Sequence, residues 1–287
     1  MSNVFKTALL LTAMTLLLML AGRAFGGQRG MLMALIFAAI MNFVSYFFSD
    51  KIALAMYRAQ PITREDLPRV YSIVERLSQK VGLPTPKVYL IPTDSPNAFA
   101  TGRNPNHASV AVTQGILGLL NDDELEGVIA HELGHVRNRD ILISSIAATL
   151  AGAITFLAHI ARWGMIFGGY GGDRDDRRGG AIGALLMMFL APFAAMLIQL
   201  AVSRSREYGA DDTGAHWTGN PYALASALAK IESYSRRLPL VASPSTAHLF
   251  IIQPFLGGMS FGNLFSTHPP TAKRIERLTG RPAEFLQ

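Results

Sequence analysis

Four long apolar blocks constrain this chain more than any other feature. Thr7–Phe25, Met31–Phe48, Ile141–Ala161 and Ala181–Val202 each run for about 18–22 residues with almost no charge. That is enough for a helix to cross the hydrocarbon core of a bilayer. A single run of this kind would suit a buried helix of a large soluble core, but four in one chain do not. The third and fourth blocks are rich in Ala, Gly and Ser, which suits close helix packing in lipid. Half of all residues are hydrophobic and only 16% are charged, too apolar for an ordinary soluble domain of this length. The first block reads as a retained span, because Arg23 falls where small residues would mark a cleavage site. The expected architecture is an integral membrane, mainly α-helical protein with four transmembrane helices. Its segments are two N-terminal spans over 1–48, a polar region over 49–140, two further spans over 141–202, and a second polar region over 203–287.

The net charge of +6 does not point to nucleic acid, because the basic residues are scattered, with no basic helix and no interleaved aromatics. The absence of cysteine excludes a disulfide framework and fits polar regions facing a reducing compartment.

In the first polar region, the spacing of Leu67, Val70, Ile73, Val74, Leu77 and Val81 predicts an amphipathic helix over 62–82, with Thr63 and Asp66 as a capping-box variant. Lys87–Ile91, Asn97–Thr101 and Ser109–Thr113 read as strands, the last two joined as a hairpin through the turn-rich GRNPNH. Helices are expected over Gln114–Leu120, from Asn121 onwards, over Ser203–Trp217, from Pro221 to about Arg236, and over Pro269–Leu278. The connector 162–180 reads as a Gly-rich charged loop, and 238–266 as irregular.

The helix from Asn121 carries His131-Glu132-Leu133-Gly134-His135. Histidines four apart share one helix face and can reach one metal ion. Glu132 beside them is placed to take a proton from an attacking water. A catalytic zinc wants a third protein ligand with a place left open. Downstream, Glu207 and Asp211 are four apart in SREYGADD and share a face. This resembles the E-x-x-x-D helix of gluzincin metalloproteases, in which the Glu binds zinc and the Asp orients a ligand histidine. A solvated helix charge, or a partner for Arg204 or Arg206, is the other reading of Glu207. Topology provides an independent check. His135 precedes the third block and Glu207 follows the fourth, so two crossings return the chain to the side it left.

The combination AHELGHVRNRD, two apolar spans, SREYGADD and STHPPTAKRIERL resembles the HtpX-type membrane zinc metalloproteases, gluzincin relatives of the CaaX prenyl endoproteases. The resemblance implies an α+β zincin-like catalytic domain with a small β-sheet. It implies one zinc per chain on His131, His135 and Glu207, with Glu132 as catalytic base and Asp211 behind the ligands. It also implies endoproteolysis of misfolded or damaged membrane proteins at the bacterial cytoplasmic membrane, as part of stress response and protein quality control, with the lipid bilayer as surroundings. His268 in Thr-His-Pro-Pro is the first choice for an oxyanion donor, against a loop histidine capping its own helix. Arg274 nearby suits a structural ion pair. Asn97, Ala98 and Phe99 resemble the edge strand on which such proteases align substrate. Asp140 is either a support for a ligand or a cap on the third span. His107, His159, His216 and His248 receive no role. Basic residues flanking the spans are nearly balanced between the two sides, so the cytoplasmic orientation rests on the resemblance and on the lack of cysteine. The alternative to an enzyme is a membrane holdase or scaffold with a structural zinc site.

Overall fold

The computed structural model describes residues 3–147, 149–150, 204–237, 249, 251 and 268–286. The third and fourth apolar blocks beyond residue 150, the 162–180 connector, His159, His248 and most of 238–266 lie outside them.

The first two blocks form one helical hairpin, α1 (Asn3–Met56), folded back at Gly27. Gly27 has φ 59° and ψ −143°, a conformation that a Cβ would strain. The two limbs run antiparallel: Asn42 Nδ2 donates to Thr15 Oγ1 at 2.9 Å, and Gly22 meets Gly30 backbone to backbone. Gly27–Met56 is, among the described residues, the one helix long and apolar enough to cross a membrane, and Phe5–Leu20 is a shorter apolar helix. Both limbs leave many apolar side chains outside the protein's own core; Leu20, Met33, Ile40 and Phe43 are all more than half exposed. The helix α5 (141–147) opens the third block and packs Leu142 and Ile146 on Leu10 and Met14 of the first limb.

The polar region is built on a four-stranded mixed sheet, β1 (Gln60–Pro61), β2 (Lys87–Ile91), β3 (Ala98–Gly102) and β4 (Ala108–Thr113), in the order β1-β2-β4-β3. The central β2 and β4 are parallel, and β3 pairs antiparallel with β4, Phe99 opposite Ala111. The expected hairpin is present, its turn tightened by a 3₁₀ turn at Pro105–His107.

Alternation divides the sheet between two cores. Val88, Ala98, Ala100, Val110 and Val112 face the main core, while Ile91, Phe99 and Ala111 face Ala53 and Leu54 at the end of α1. The second limb of the hairpin therefore runs on past Phe48 and ends under the sheet.

Four helices wrap the main core: α2 (Pro68–Lys80), α4 (Asp122–Arg137), α6 (Arg204–Thr218) and α7 (Pro221–Arg237), with α3 (Gln114–Leu119) and α8 (Thr271–Thr279) at the periphery. The helix α2 starts later than the apolar spacing suggests. Thr63 and Asp66 do bond, the Thr63 N–H donating to Asp66 Oδ2 at 2.7 Å, but they close a turn ahead of the helix. Proline at position 68 is the first helical residue, because it needs no N–H partner there. Likewise α8 starts at Thr271, after Pro269 and Pro270.

The helix α4 is central, buried on nearly every side and started by a full capping box. Asn121 Oδ1 accepts from the Glu124 N–H (2.9 Å), and the Asn121 N–H donates to Glu124 Oε2 (3.0 Å). Glu124 also receives Ser226 Oγ (2.6 Å) and Lys230 Nζ (2.8 Å), which ties the start of α4 to α7.

Candidate metal centre

The 3.6-residue period of α4 brings His131 and His135 to one face, their rings perpendicular and 4.9 Å apart. The helix α6 crosses that face closely because Gly214 sits against His131; a Cβ at Gly214 would lie 3.0 Å from the His131 N. The crossing delivers Glu207 to both imidazoles. His131 Nε2 is 3.8 Å from Glu207 Oε2, and His135 Nε2 is 3.5 Å from Glu207 Oε1. One donor atom from each of the three residues lies within 4.8 Å of the others.

The second nitrogen of each imidazole is directed at a carboxylate. His131 Nδ1 lies 2.9 Å from Asp211 Oδ1, one turn after Glu207 on α6. His135 Nδ1 donates to Asp140 Oδ2 at 3.2 Å. Asp140 reaches back because Arg139 takes a left-handed conformation (φ 57°), which reverses the chain after α4. The residue also precedes α5, and its backbone N–H bonds the His135 carbonyl at 3.0 Å. Of the two roles weighed for Asp140, its side chain takes the one facing His135.

The arrangement fits a metal ion. Zinc bonds of about 2.1 Å in a tetrahedron separate donor atoms by about 3.4 Å, close to the spacings here, and two imidazoles with a carboxylate are a zinc-type donor set. Directing the far nitrogen of each ring at a carboxylate leaves both Nε2 atoms to the shared space.

Glu132 turns from α4 towards the sheet. Its Oε2 accepts the Ala100 N–H at 2.9 Å, and the side chain is buried. Burial raises its pKa above the usual carboxylate range, against the opposing pull of His131 and His135. Burial would depress His135, but Asp140, Glu207 and Glu132 override it and raise the ring to about 9. Burial would raise Glu207 too; instead His268, His135 and Arg274 hold it well below its ordinary value. Asp211 is likewise lowered to about 2 despite burial, by Arg274 and His131.

Arg274, only 1% exposed, grips Asp211 through two bonds, Nε to Oδ2 at 2.8 Å and Nη2 to Oδ1 at 2.7 Å. Its Nη1 donates to the Ile251 carbonyl at 2.7 Å and lies 3.9 Å from Glu207 Oε2. His268 is buried with Nδ1 3.1 Å from Glu207 Oε2; Pro269 and Pro270 separate it from α8, whose N-cap is Pro270 without a side-chain cap, so His268 is not the cap of that helix. Glu207 is not a solvated charge. Its neighbour Arg206 faces Asp140 instead, with Nε 3.8 Å from Oδ1. His107 and His216 stand exposed, away from the centre.

Asn97, Ala98 and Phe99 lie on the outer strand of the sheet, next to Glu132. Their roles divide. The Asn97 carbonyl accepts the Thr113 N–H and its Oδ1 accepts the Ile251 N–H, both at 3.0 Å, so Asn97 is committed to the fold. Phe99 packs on Tyr57 at 5.4 Å between centroids. Because residue 97 faces β4 and the Ala100 N–H faces Glu132, alternation aims the Ala98 backbone outward. A cavity of about 40 Å³ remains beside His131, Glu132, His135 and His268, room for a water or two.

Sequence reading left Asp140 open between supporting a ligand and capping a span, without naming His135 as its partner, and missed the Ala100 N–H on Glu132. Neither has a helical spacing that would signal it. One depends on a left-handed turn, the other on a backbone group.

The profile of peptidase family M48 matches residues 65–282. A chain called "Protease HtpX homolog" from Desulfatibacillum aliphaticivorans is 58% identical over 280 residues, covering 98% of this chain and 90% of its own length. One of the same name from Syntrophobacter fumaroxidans is 56% identical, covering 97% and 99%. Another, from Thermococcus sibiricus, is 56% identical, covering 95% and 94%. Among solved structures, the crystal structure of S. mikatae Ste24p is similar with a TM-score of 0.51 at 18% identity, over 96% of this chain and 65% of that one, a likeness of fold. The mainly helical architecture with one small mixed sheet is the expected one. With a family profile spanning most of its length and relatives aligned nearly end to end, the chain belongs to peptidase family M48 and is a metalloprotease.

Proposed function

We propose that this metalloprotease is a zinc-dependent endopeptidase of the bacterial cytoplasmic membrane. His131, His135 and Glu207 hold the ion, Glu132 acts as base, and damaged or misfolded membrane proteins are the substrates. The observation that carries the reading is the convergence of two imidazole nitrogens and one carboxylate, each imidazole steadied from behind by Asp211 or Asp140. When bound, zinc would acidify a water and polarise the scissile carbonyl.

The protein's own groups supply the rest. Glu132, with its pKa raised by burial and one oxygen held by the Ala100 N–H, is poised to accept a proton from the attacking water and to pass it to the leaving amine. The outward-facing backbone at Ala98 offers hydrogen bonds to an extended peptide, which tolerates many sequences because main-chain groups are common to all. His268 borders the cavity and is the proposed donor to the developing oxyanion. Arg274 holds Asp211, and through it His131, in place.

Four spans with both polar regions on the cytoplasmic side agree with this reading. The first two spans correspond to the hairpin limbs, and α5 begins the third. The segment division at 48, 140 and 202 is part of the proposal. A holdase with a structural zinc would close its site with four protein ligands, whereas three converge among the described residues.

The test is Glu132→Gln in the full-length protein reconstituted with zinc and an unfolded substrate. Cleavage should fall by about 10³-fold or more while zinc content stays at the wild-type level. Wild-type cleavage rates in the variant would remove Glu132 from the mechanism.

A further inference from the structure

A second cavity, of about 280 Å³, opens where the hairpin meets the catalytic region. It is lined by Thr7, Ala8, Leu11, Tyr46, Arg103, Asn104, Arg139 and Leu142. Two groups of residues make it. Ala8, Leu11 and Leu142 form an apolar wall on the hairpin and α5. Arg103 and Arg139 come from the β3–β4 turn and from the reversal after α4. Neither guanidinium forms an ion pair with a carboxylate among the described residues, while Arg103 sits 5.4 Å from the centroid of Phe47.

The surroundings locate the cavity by depth. Phe43, Tyr46, Phe47 and Phe48 are each about 40% exposed or more, at the end of the second apolar block. Lys51 stands 5.4 Å from the Phe48 centroid. A tyrosine such as Tyr46 with cations close by, where an apolar block ends, is what a helix presents at the level of lipid headgroups. An occupant must therefore be anionic at one end and apolar at the other.

We propose that this cavity binds an anionic membrane phospholipid. Its phosphate lies between Arg103 and Arg139, and an acyl chain runs along Leu11 and Leu142. Occupancy bridges the hairpin, the β3–β4 turn and the turn that presents Asp140. The proposal rests on the reading that the hairpin lies in a bilayer. It goes beyond that reading in assigning lipid chemistry to a particular site.

The experiment uses the full-length zinc-loaded protein in an uncharged detergent. Retention of labelled phosphatidylglycerol is compared with that of labelled phosphatidylcholine, with inorganic phosphate as competitor. The wild type should bind phosphatidylglycerol about 30-fold more tightly than the R103Q/R139N double variant, in which asparagine suits the left-handed backbone at 139. Phosphatidylcholine should be retained weakly and alike by both, R103K/R139K should keep most of the preference, and inorganic phosphate should not displace the lipid. Ala8→Trp, which fills the apolar end without altering charge, should also weaken retention, and it decides the matter if the double variant fails to load zinc. Equal phosphatidylglycerol binding by the wild type and the variant that folds would overturn the proposal. So would displacement by an equal concentration of inorganic phosphate. Flotation of the wild type with neutral phosphatidylcholine vesicles tests the membrane reading separately.

Discussion

Each candidate ligand histidine is held by one carboxylate behind it and faces another in front. For His135 the consequence is electrostatic. With its pKa near 9, the metal-free ring carries a proton at neutral pH. Metal binding needs the neutral imidazole, so the proton must leave. Apparent metal affinity should therefore rise with pH up to about 9, and binding near pH 7 should release a proton. Calorimetry in buffers of different ionisation enthalpy reads this directly; heats that do not depend on the buffer would contradict it. Asp140 and Asp211 occupy equivalent positions behind the two rings, so Asp140→Ala and Asp211→Ala should each weaken metal binding by about 10–100-fold. A competitive chelator titration measures both, and no change for Asp140→Ala would reduce it to a helix cap. The two aspartates were unequally legible. Asp211 follows Glu207 at helical spacing. The service of Asp140 to His135 depends on the left-handed Arg139, and no periodicity encodes that reversal.

Among the elements, the contact between α4 and α6 decides whether a centre forms at all. Its closeness depends on Gly214, where a methyl group would press on the His131 backbone at 3.0 Å. Gly214→Ala should push α6 outward by a few tenths of an ångström, separating Glu207 from the two histidines. We expect zinc affinity to fall about 10-fold or more, and the fold to survive in circular dichroism. Undiminished affinity would mean that the crossing has slack. Most elements were legible, because the apolar spacing on α2 reflects the same burial that the structure contains, and signals such as Pro221 mark the others. Starts were less so. Thr63 and Asp66 have the chemistry of a cap, yet the proline at position 68 sets the first turn of α2. The crossing of α4 and α6 was invisible at the level of spacing, since their contact residues are some 80 positions apart and a glycine marks it only by what it lacks.

For the whole molecule, the apolar blocks and the site motif answer to one geometry. The hairpin α1 ends beneath the sheet at Ala53 and Leu54, and α5 leaves the site at Asp140 to pack on the first limb. The candidate metal centre therefore sits directly at the base of the apolar helices. The first two apolar blocks fold as a helical hairpin because Gly27 allows the fold-back that a sequence of alternating apolar and polar stretches can only suggest. The central claim is that one divalent ion is held jointly by α4 and α6. Metal analysis of the purified full-length wild type and Glu207→Ala, with cleavage of an unfolded substrate measured on the same samples, tests it most directly. The account predicts one zinc per wild-type chain, with loss of both zinc and cleavage in the variant. A wild type that cleaves without bound metal, or a variant that keeps its full complement of zinc, would contradict it.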